Sequence, residues 1–152
     1  MRLYLIESGK YLVWKCGGYF GLGSKERLLF VASFGFLEGD ISEDGDYLPM
    51  CGNGTDAFLY RLSTDTTGPS YRQPGLNAVY VTPDNNLLMT GTIGIRMVRP
   101  RTHSLAPVVD RFGHMDVGRD TDGAEIIVWL DDTTNTVTKV RLGDLQMTPL
   151  LT

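Results

Sequence analysis

Three stretches of this 152-residue chain repeat one short pattern. They are Ile41-Ser42-Glu43-Asp44-Gly45-Asp46-Tyr47-Leu48, Val81-Thr82-Pro83-Asp84-Asn85-Asn86-Leu87-Leu88 and Asp120-Thr121-Asp122-Gly123-Ala124-Glu125-Ile126. Each runs from a strand-like segment through a tight Asp-Gly or Asp-Asn turn into an apolar strand. The turn aspartates are Asp44, Asp84 and Asp122, so the pattern recurs at nearly even steps. A repeat of this spacing made only of strands implies stacked or radially arranged sheets, since so small a unit cannot bury its own faces.

The repetition continues past the turns. The strands Phe58-Leu59-Tyr60-Arg61-Leu62, Ile95-Arg96-Met97-Val98-Arg99 and Val137-Thr138-Lys139-Val140-Arg141-Leu142 each end near an arginine and enter a polar turn. Arg61, Arg99 and Arg141 follow their turn aspartates at similar offsets. A short closing strand fits at Ser70 to Gln73, at Ala106 to Val109 and at Met147 to Leu151. The chain is thus expected to be all-β, with four-stranded units over 39–74, 75–112 and 113–152, joined by hairpin-scale loops. The second strand of each unit is the most apolar. Ile126-Ile127-Val128-Trp129-Leu130 is unbroken, so both of its faces are expected to be covered.

Residues 1–38 fit less well and read as a partial or divergent unit. Arg2 to Trp14 resembles the last two strands of one unit, and Tyr19 to Ser33 the first two of another.

Bulk composition narrows the function classes. Hydrophobic residues make up 42% and charged residues 21%, as in ordinary soluble globular chains. The net charge of −4 gives no general pull toward nucleic acid or anionic membrane. No apolar run approaches the ~20 residues that span a bilayer, and Glu7 and Lys10 interrupt the N-terminal apolar run before it could serve as a signal peptide. The compartment stays open. Cys16 and Cys51 match no metal spacing. Gly17-Gly18-Tyr19-Phe20-Gly21-Leu22-Gly23 lacks the following helix that would hold a phosphate, and Gly52-Asn53-Gly54-Thr55 reads as a turn.

On the Asp-Gly turn motifs at 44, 84 and 122 and the strands after them, residues 39 to 152 resemble the β-propeller repeat families, nearest the TolB-like and WD-like blades. No Gly-His or Trp-Asp signature of true WD repeats is present. The resemblance implies four-stranded antiparallel blades in a single propeller-like domain. Propellers typically close with four to eight blades, whereas three are recognisable here. The missing blades are expected either from a longer protein, of which this is a piece, or from another copy. A small closed ring of four is the third possibility.

The sharpest chemical constellation precedes the third turn. In a propeller blade, Gly113-His114-Met115-Asp116-Val117-Gly118-Arg119-Asp120 would be the innermost strand, beside the central channel. His114, Asp116 and Asp120 share one parity and would point to one face, where a histidine and two carboxylates could hold a divalent metal or pass a proton. Loosely, His114 resembles the metal-binding histidine of oligogalacturonate-lyase propellers. A blander alternative is that His114 bonds a neighbouring loop, Asp120 and Asp122 accept turn amides, and Arg119 pairs with Asp116 or Asp120. A second basic cluster, Arg96, Arg99, Arg101 and His103, could grip a carboxylate or phosphate, or could be solvated charge that blunts a sheet edge. The aromatics Tyr60, Tyr71 and Tyr80 form no evident stacking platform for nucleic acid. Two functions follow from these residues. One is a propeller scaffold that binds a protein, peptide or glycan on its rim or in its channel. The alternative is a carbohydrate-active enzyme, a polysaccharide lyase or hydrolase, around His114.

Overall fold

The computed structural model describes residues 41–52, 55–99 and 103–151 in full, and the backbone alone of the strands within 2–33. The described chain is all β, folded as four antiparallel sheets in chain order. The first holds β1 (Arg2–Ile6), β2 (Tyr11–Cys16), β3 (Tyr19–Ser24) and β4 (Leu28–Ser33). The second holds β5 (Tyr47–Gly52) and β6 (Asp56–Arg61), with the short β7 (Thr66–Thr67) and β8 (Tyr71–Arg72) pairing opposite ends of β6. The third holds β9 (Leu76–Val81), β10 (Leu87–Gly91), β11 (Gly94–Arg99) and β12 (Ser104–Val109). The fourth holds β13 (His114–Arg119), β14 (Glu125–Asp131), β15 (Thr136–Arg141) and β16 (Met147–Leu151).

One sequence expectation is corrected at once. The first four strands are not halves of two units. Antiparallel pairing of β2 with β3, from Tyr11↔Ser24 to Cys16↔Tyr19, joins them into one sheet. Gly17, Gly18, Asn53 and Gly54, where turns are expected from the sequence, lie outside the described residues, as do Pro100 and Arg101.

The three matching turns share one geometry. Gly45, Asn85 and Gly123 each donate their amide to the carbonyl three residues back, on Ser42, Thr82 and Asp120, at 2.8 to 2.9 Å. All three have positive φ, at 75°, 64° and 82°. This is a type I turn closed by a left-handed residue, a conformation open to glycine and tolerated by asparagine. Asp44 and Asp122 also accept the amide two residues on, from Asp46 and Ala124, at 3.0 and 3.1 Å. The Asp-Gly recurrence is therefore a recurrence of backbone geometry.

The third sheet is the centre of the core. Side chains alternate across a strand, so Val79, Leu87 and Met89 face the second sheet, in one cluster with Cys51 and Ala57, while Tyr80, Leu88 and Ile95 pack against Met115, Ile127 and Trp129 of the fourth. Leu88 and Met89 are both 0% exposed although they point to opposite faces. Arg111, just past β12, secures the second junction. It pairs with the buried Asp131 at 2.7 Å and lies 5.6 Å from the Trp129 ring. Gly113 follows because the chain there runs against β14: a Cβ at this position would collide with the Leu130 carbonyl and the Trp129 indole.

The fourth sheet differs from the third. Ile127 and Trp129 are buried, but Val128 and Leu130 are 37% and 36% exposed. The expectation that both faces of this strand are covered fails here, because no described sheet lies against its second face.

The turn geometry yields a paired expectation. Gly123→Ala forces an alanine into the left-handed region, although its Cβ meets nothing within 4 Å, and costs about 1–2 kcal/mol. Gly118→Ala, equally uncrowded but without positive φ, leaves stability unchanged or raises it by up to ~1 kcal/mol. Urea denaturation of the two variants measures the difference directly.

Candidate functional site

The three turns lie side by side and are laced together. Asn85 Nδ2 donates to Asp44 Oδ2 at 2.8 Å, joining the second turn to the first. Glu125 joins the third to the second: its carboxylate accepts from the Asp84 amide at 2.7 Å and from Asn86 Nδ2 at 3.3 Å. Arg119 spans all three. Its guanidinium donates to Glu43 at 3.0 Å, to Asp84 at 2.9 Å and to the Gly123 carbonyl at 3.2 Å. The nearer carboxylates, Asp116 and Asp120, are not its partners, contrary to the expectation from local spacing. Arg119 thus acts as a clasp across three sheets, and forked donation to several acceptors is the task for which guanidinium is suited.

The recurring arginines have a related use. Arg61 pairs with Asp46 at 2.8 Å, and Arg141 pairs with Asp122 at 2.9 Å. Each links the strand two removed from a turn back to that turn. Arg99 is exposed and instead borders a cavity of about 220 Å³ between the third and fourth sheets, with Met97, Glu125 and Leu142.

His114, Asp116 and Gly118 do occupy one face of β13, opposite Leu130, Val128 and Ile126. It is the uncovered face of the fourth sheet. His114 Nε2 lies 3.9 Å from Asp132 Oδ2, in the turn after β14, and its ring meets Phe112 edge-on at 6.1 Å. Asp116 accepts the Val117 amide at 2.8 Å. Asp120 is drawn away to Lys139 at 2.7 Å and to the Thr121 amide. Among the described residues, no group of three or more His, Cys, Asp or Glu is placed to hold a metal ion.

By sequence, His103 groups with Arg99 and Arg101. Its amide donates to the Arg99 carbonyl at 2.9 Å, closing the β11–β12 turn with φ 49° at His103, and its Nδ1 meets Tyr71 Oη at 3.1 Å. This pair borders a cavity of about 270 Å³ between the second and third sheets. Tyr47 and Arg61, on the same face of the second sheet as Tyr71, also line it, with the guanidinium 5.4 Å from the Tyr47 ring. Leu59, Leu87 and Val98 line the interior. Asn85 and Asn86 border it at the turn end, and their side-chain oxygens are shielded from solvent without a donor among the described residues. Burial raises the Tyr71 hydroxyl above its ordinary pKa, so it stays protonated. Sequence reasoning missed this cleft because Tyr47 and Tyr71 are distant along the chain and come to one face of the second sheet only through their pairing with β6. Tyr60 and Tyr80, by contrast, are buried in separate cores.

With this geometry established, comparison with known proteins identifies the fold. No family model and no curated protein sequence matches the chain. Solved structures do. The chain is similar to U3-55K and to the RRP9 WD40 repeats, each at 14% identity and TM-score 0.65, covering 98% of this chain and 50% of theirs. A protein of unknown function from Bacteroides caccae is similar at 11% identity and TM-score 0.61, over 96% of this chain and 58% of that one. The chain has the fold of a β-propeller built of four-stranded blades. It spans about half the length of the WD40 chains it matches. No helix among the described residues is long and apolar enough to cross a membrane.

The clasp can be tested in two ways. Arg119→Ala removes contacts to three turns at once and lowers the thermal midpoint by several degrees. Arg119→Lys, which keeps the charge but loses the fork, recovers only part of that loss, and ~1 M salt narrows the gap between them. Scanning calorimetry of the three proteins at two ionic strengths measures this.

Acid provides the second test. Burial works against ionisation of Asp44 and Asp46, but hydrogen bonds outweigh it, from Ser42, the Asp46 amide and Asn85 in one case and from Arg61 and Ser63 in the other. Lys139 holds Asp120 below the usual carboxylate range, and the Ala124 amide does the same for Asp122. A carboxylate depressed in the folded state adds stability that is complete above its unfolded pKa, near 3.9, and is lost as pH falls through the folded value. The thermal midpoint is therefore expected to drop as pH is lowered from about 5 toward 3. A flat profile over that window would count against the network.

Proposed function

We propose that the chain is a propeller scaffold that binds a peptide segment of a protein partner on its rim, with an aromatic side chain anchored in the cleft between the second and third sheets. The observation that carries this reading is the cleft itself. Two tyrosines face it from different strands, and aliphatic side chains form its floor. Such walls favour a flat ring in offset or edge-on contact. Tryptophan and tyrosine supply such a ring together with a polar group at one end. Both are enriched among residues that dominate binding at interfaces.

The equivalent cavity between the third and fourth sheets argues for selectivity. Its lining has Met97, Arg99 and Glu125 in place of an aromatic wall. The same repeat geometry thus presents two chemically distinct clefts, of which one is suited to an aromatic anchor. The similarity to WD40 propellers supports a scaffold role only through fold, because fold alone leaves function open.

Panning a random peptide library against the purified chain tests the proposal. Peptides with a tryptophan or tyrosine anchor should be enriched. Tyr71→Ala and Tyr47→Ala should each weaken the selected peptides by about 10- to 100-fold, while His114→Ala leaves them unchanged. No enrichment, or binding indifferent to both tyrosines, would overturn the reading. Binding of neutral oligosaccharides in place of peptides would overturn it in favour of a glycan ligand.

A further inference from the structure

We infer, on the reading of the neighbouring cleft as an aromatic site, that the cleft between the third and fourth sheets is a carboxylate subsite: Arg99 takes an acidic side chain of the same bound segment.

Strand register makes the two clefts equivalent. The turns close from Ser42 to Tyr47, from Thr82 to Asn86 and from Asp120 to Ala124, so Tyr47, Asn86 and Ala124 correspond. Two residues on, Pro49, Leu88 and Ile126 pair with Leu59, Met97 and Arg141 on the next strand. Leu59 and Arg61 in one cleft therefore match Met97 and Arg99 in the other.

What differs is the counter-ion. Gly45 and Asn85 hold the same place in their turns, but the first turn is one residue longer before it closes. The extra residue is Asp46, the partner of Arg61 at 2.8 Å. The second turn has no such residue. Its own Asp84 is engaged by Arg119 at 2.9 Å, whereas Asp122 of the third turn pairs with Arg141. Of the three recurring arginines, Arg99 alone has no carboxylate partner among the described residues. It is exposed at the cavity, with its charge unmatched.

The cavity suits one short acidic side chain. Its volume of about 220 Å³ falls below the ~300–1,000 Å³ of sites for drug-sized ligands. Met97, Ala106 and Leu142 offer contact for methylenes, and a guanidinium can give a carboxylate two parallel hydrogen bonds. Glu125, also in the wall, is already held by the Asp84 amide and Asn86 Nδ2. Its charge opposes a phosphate dianion more than a carboxylate. Packed sheets lie ~10 Å apart and an extended peptide advances ~3.3 Å per residue. The acid and the aromatic anchor should therefore be about three or four residues apart.

Peptides with one tryptophan and a glutamate, glutamine or phosphoserine at that spacing test this by fluorescence anisotropy against the full chain. The glutamate peptide should bind about 10-fold tighter than the glutamine peptide. Arg99→Gln should bring the glutamate peptide down to the glutamine level, and Tyr71→Ala should weaken both peptides alike. Equal binding of the two, a preference that survives Arg99→Gln, or tighter binding of the phosphoserine peptide would overturn the carboxylate subsite and leave the aromatic cleft standing. If no tryptophan peptide binds, the aromatic reading fails, and N-acetylglutamate amide is the deciding probe. Its titration should then shift the Arg99 Nε–H resonance and the Leu142 and Gly143 amides in nitrogen–proton NMR spectra. Resonances that stay in place would overturn the subsite as well.

Discussion

The structure depends on the burial of both faces of a sheet by its neighbours. Leu88 and Met89, adjacent in β10, point to opposite sides, and each is fully enclosed. A single four-stranded sheet has two apolar faces and no means of its own to bury them. Each sheet is thus stabilised by what stands on either side, at roughly 25 cal/mol per Å² of apolar surface removed from water. Among the described residues the core is accordingly divided in two, one layer on each side of the third sheet.

This stacking places the turns. Sheets of similar unit length packed face to face bring their equivalent hairpins into a row, and the row becomes a line of charge. Asp44, Asp84, Asp122 and Glu125 alone would repel one another. Arg119, Arg61 and Arg141 are interleaved among them, with Asn85 and Asn86 as neutral bridges. The line is exposed, so single pairs along it matter little. Its effect comes from Arg119 touching three units, which ties the relative position of three sheets to one side chain. The cleft between the second and third sheets lies beside this line and shares Arg61, Asn85 and Asn86 with it. A ligand there would lean on the same groups that hold the sheets in register.

Much of this was legible in the sequence. The Asp-Gly and Asp-Asn turns announced their positive-φ positions because few residues other than glycine and asparagine adopt them readily. The even spacing of those turns announced the sheets, and the common parity of His114 and Asp116 placed them on one face. Partners were less legible. Arg119 has Asp116 and Asp120 close by in sequence, yet it bonds Glu43 and Asp84, 76 and 35 positions away. Local spacing could not show that, because those carboxylates become neighbours only when sheets stack. Asp120 is taken up by Lys139, which strand pairing within the fourth sheet brings beside it.

The sequence by itself determined what is local: an all-β chain, tight turns at three equivalent places, and strands whose alternation demanded cover. These follow from backbone sterics and side-chain parity, which act over short stretches of chain. Tertiary structure alone decided which faces received cover and which side chains met. Val128 and Leu130 read as buried in a string of apolar residues, and they are exposed because burial belongs to the pair of sheets and not to the strand. Tyr47 and Tyr71 read as unrelated, and they share a cleft because pairing with β6 puts both on the face of the second sheet that meets the third.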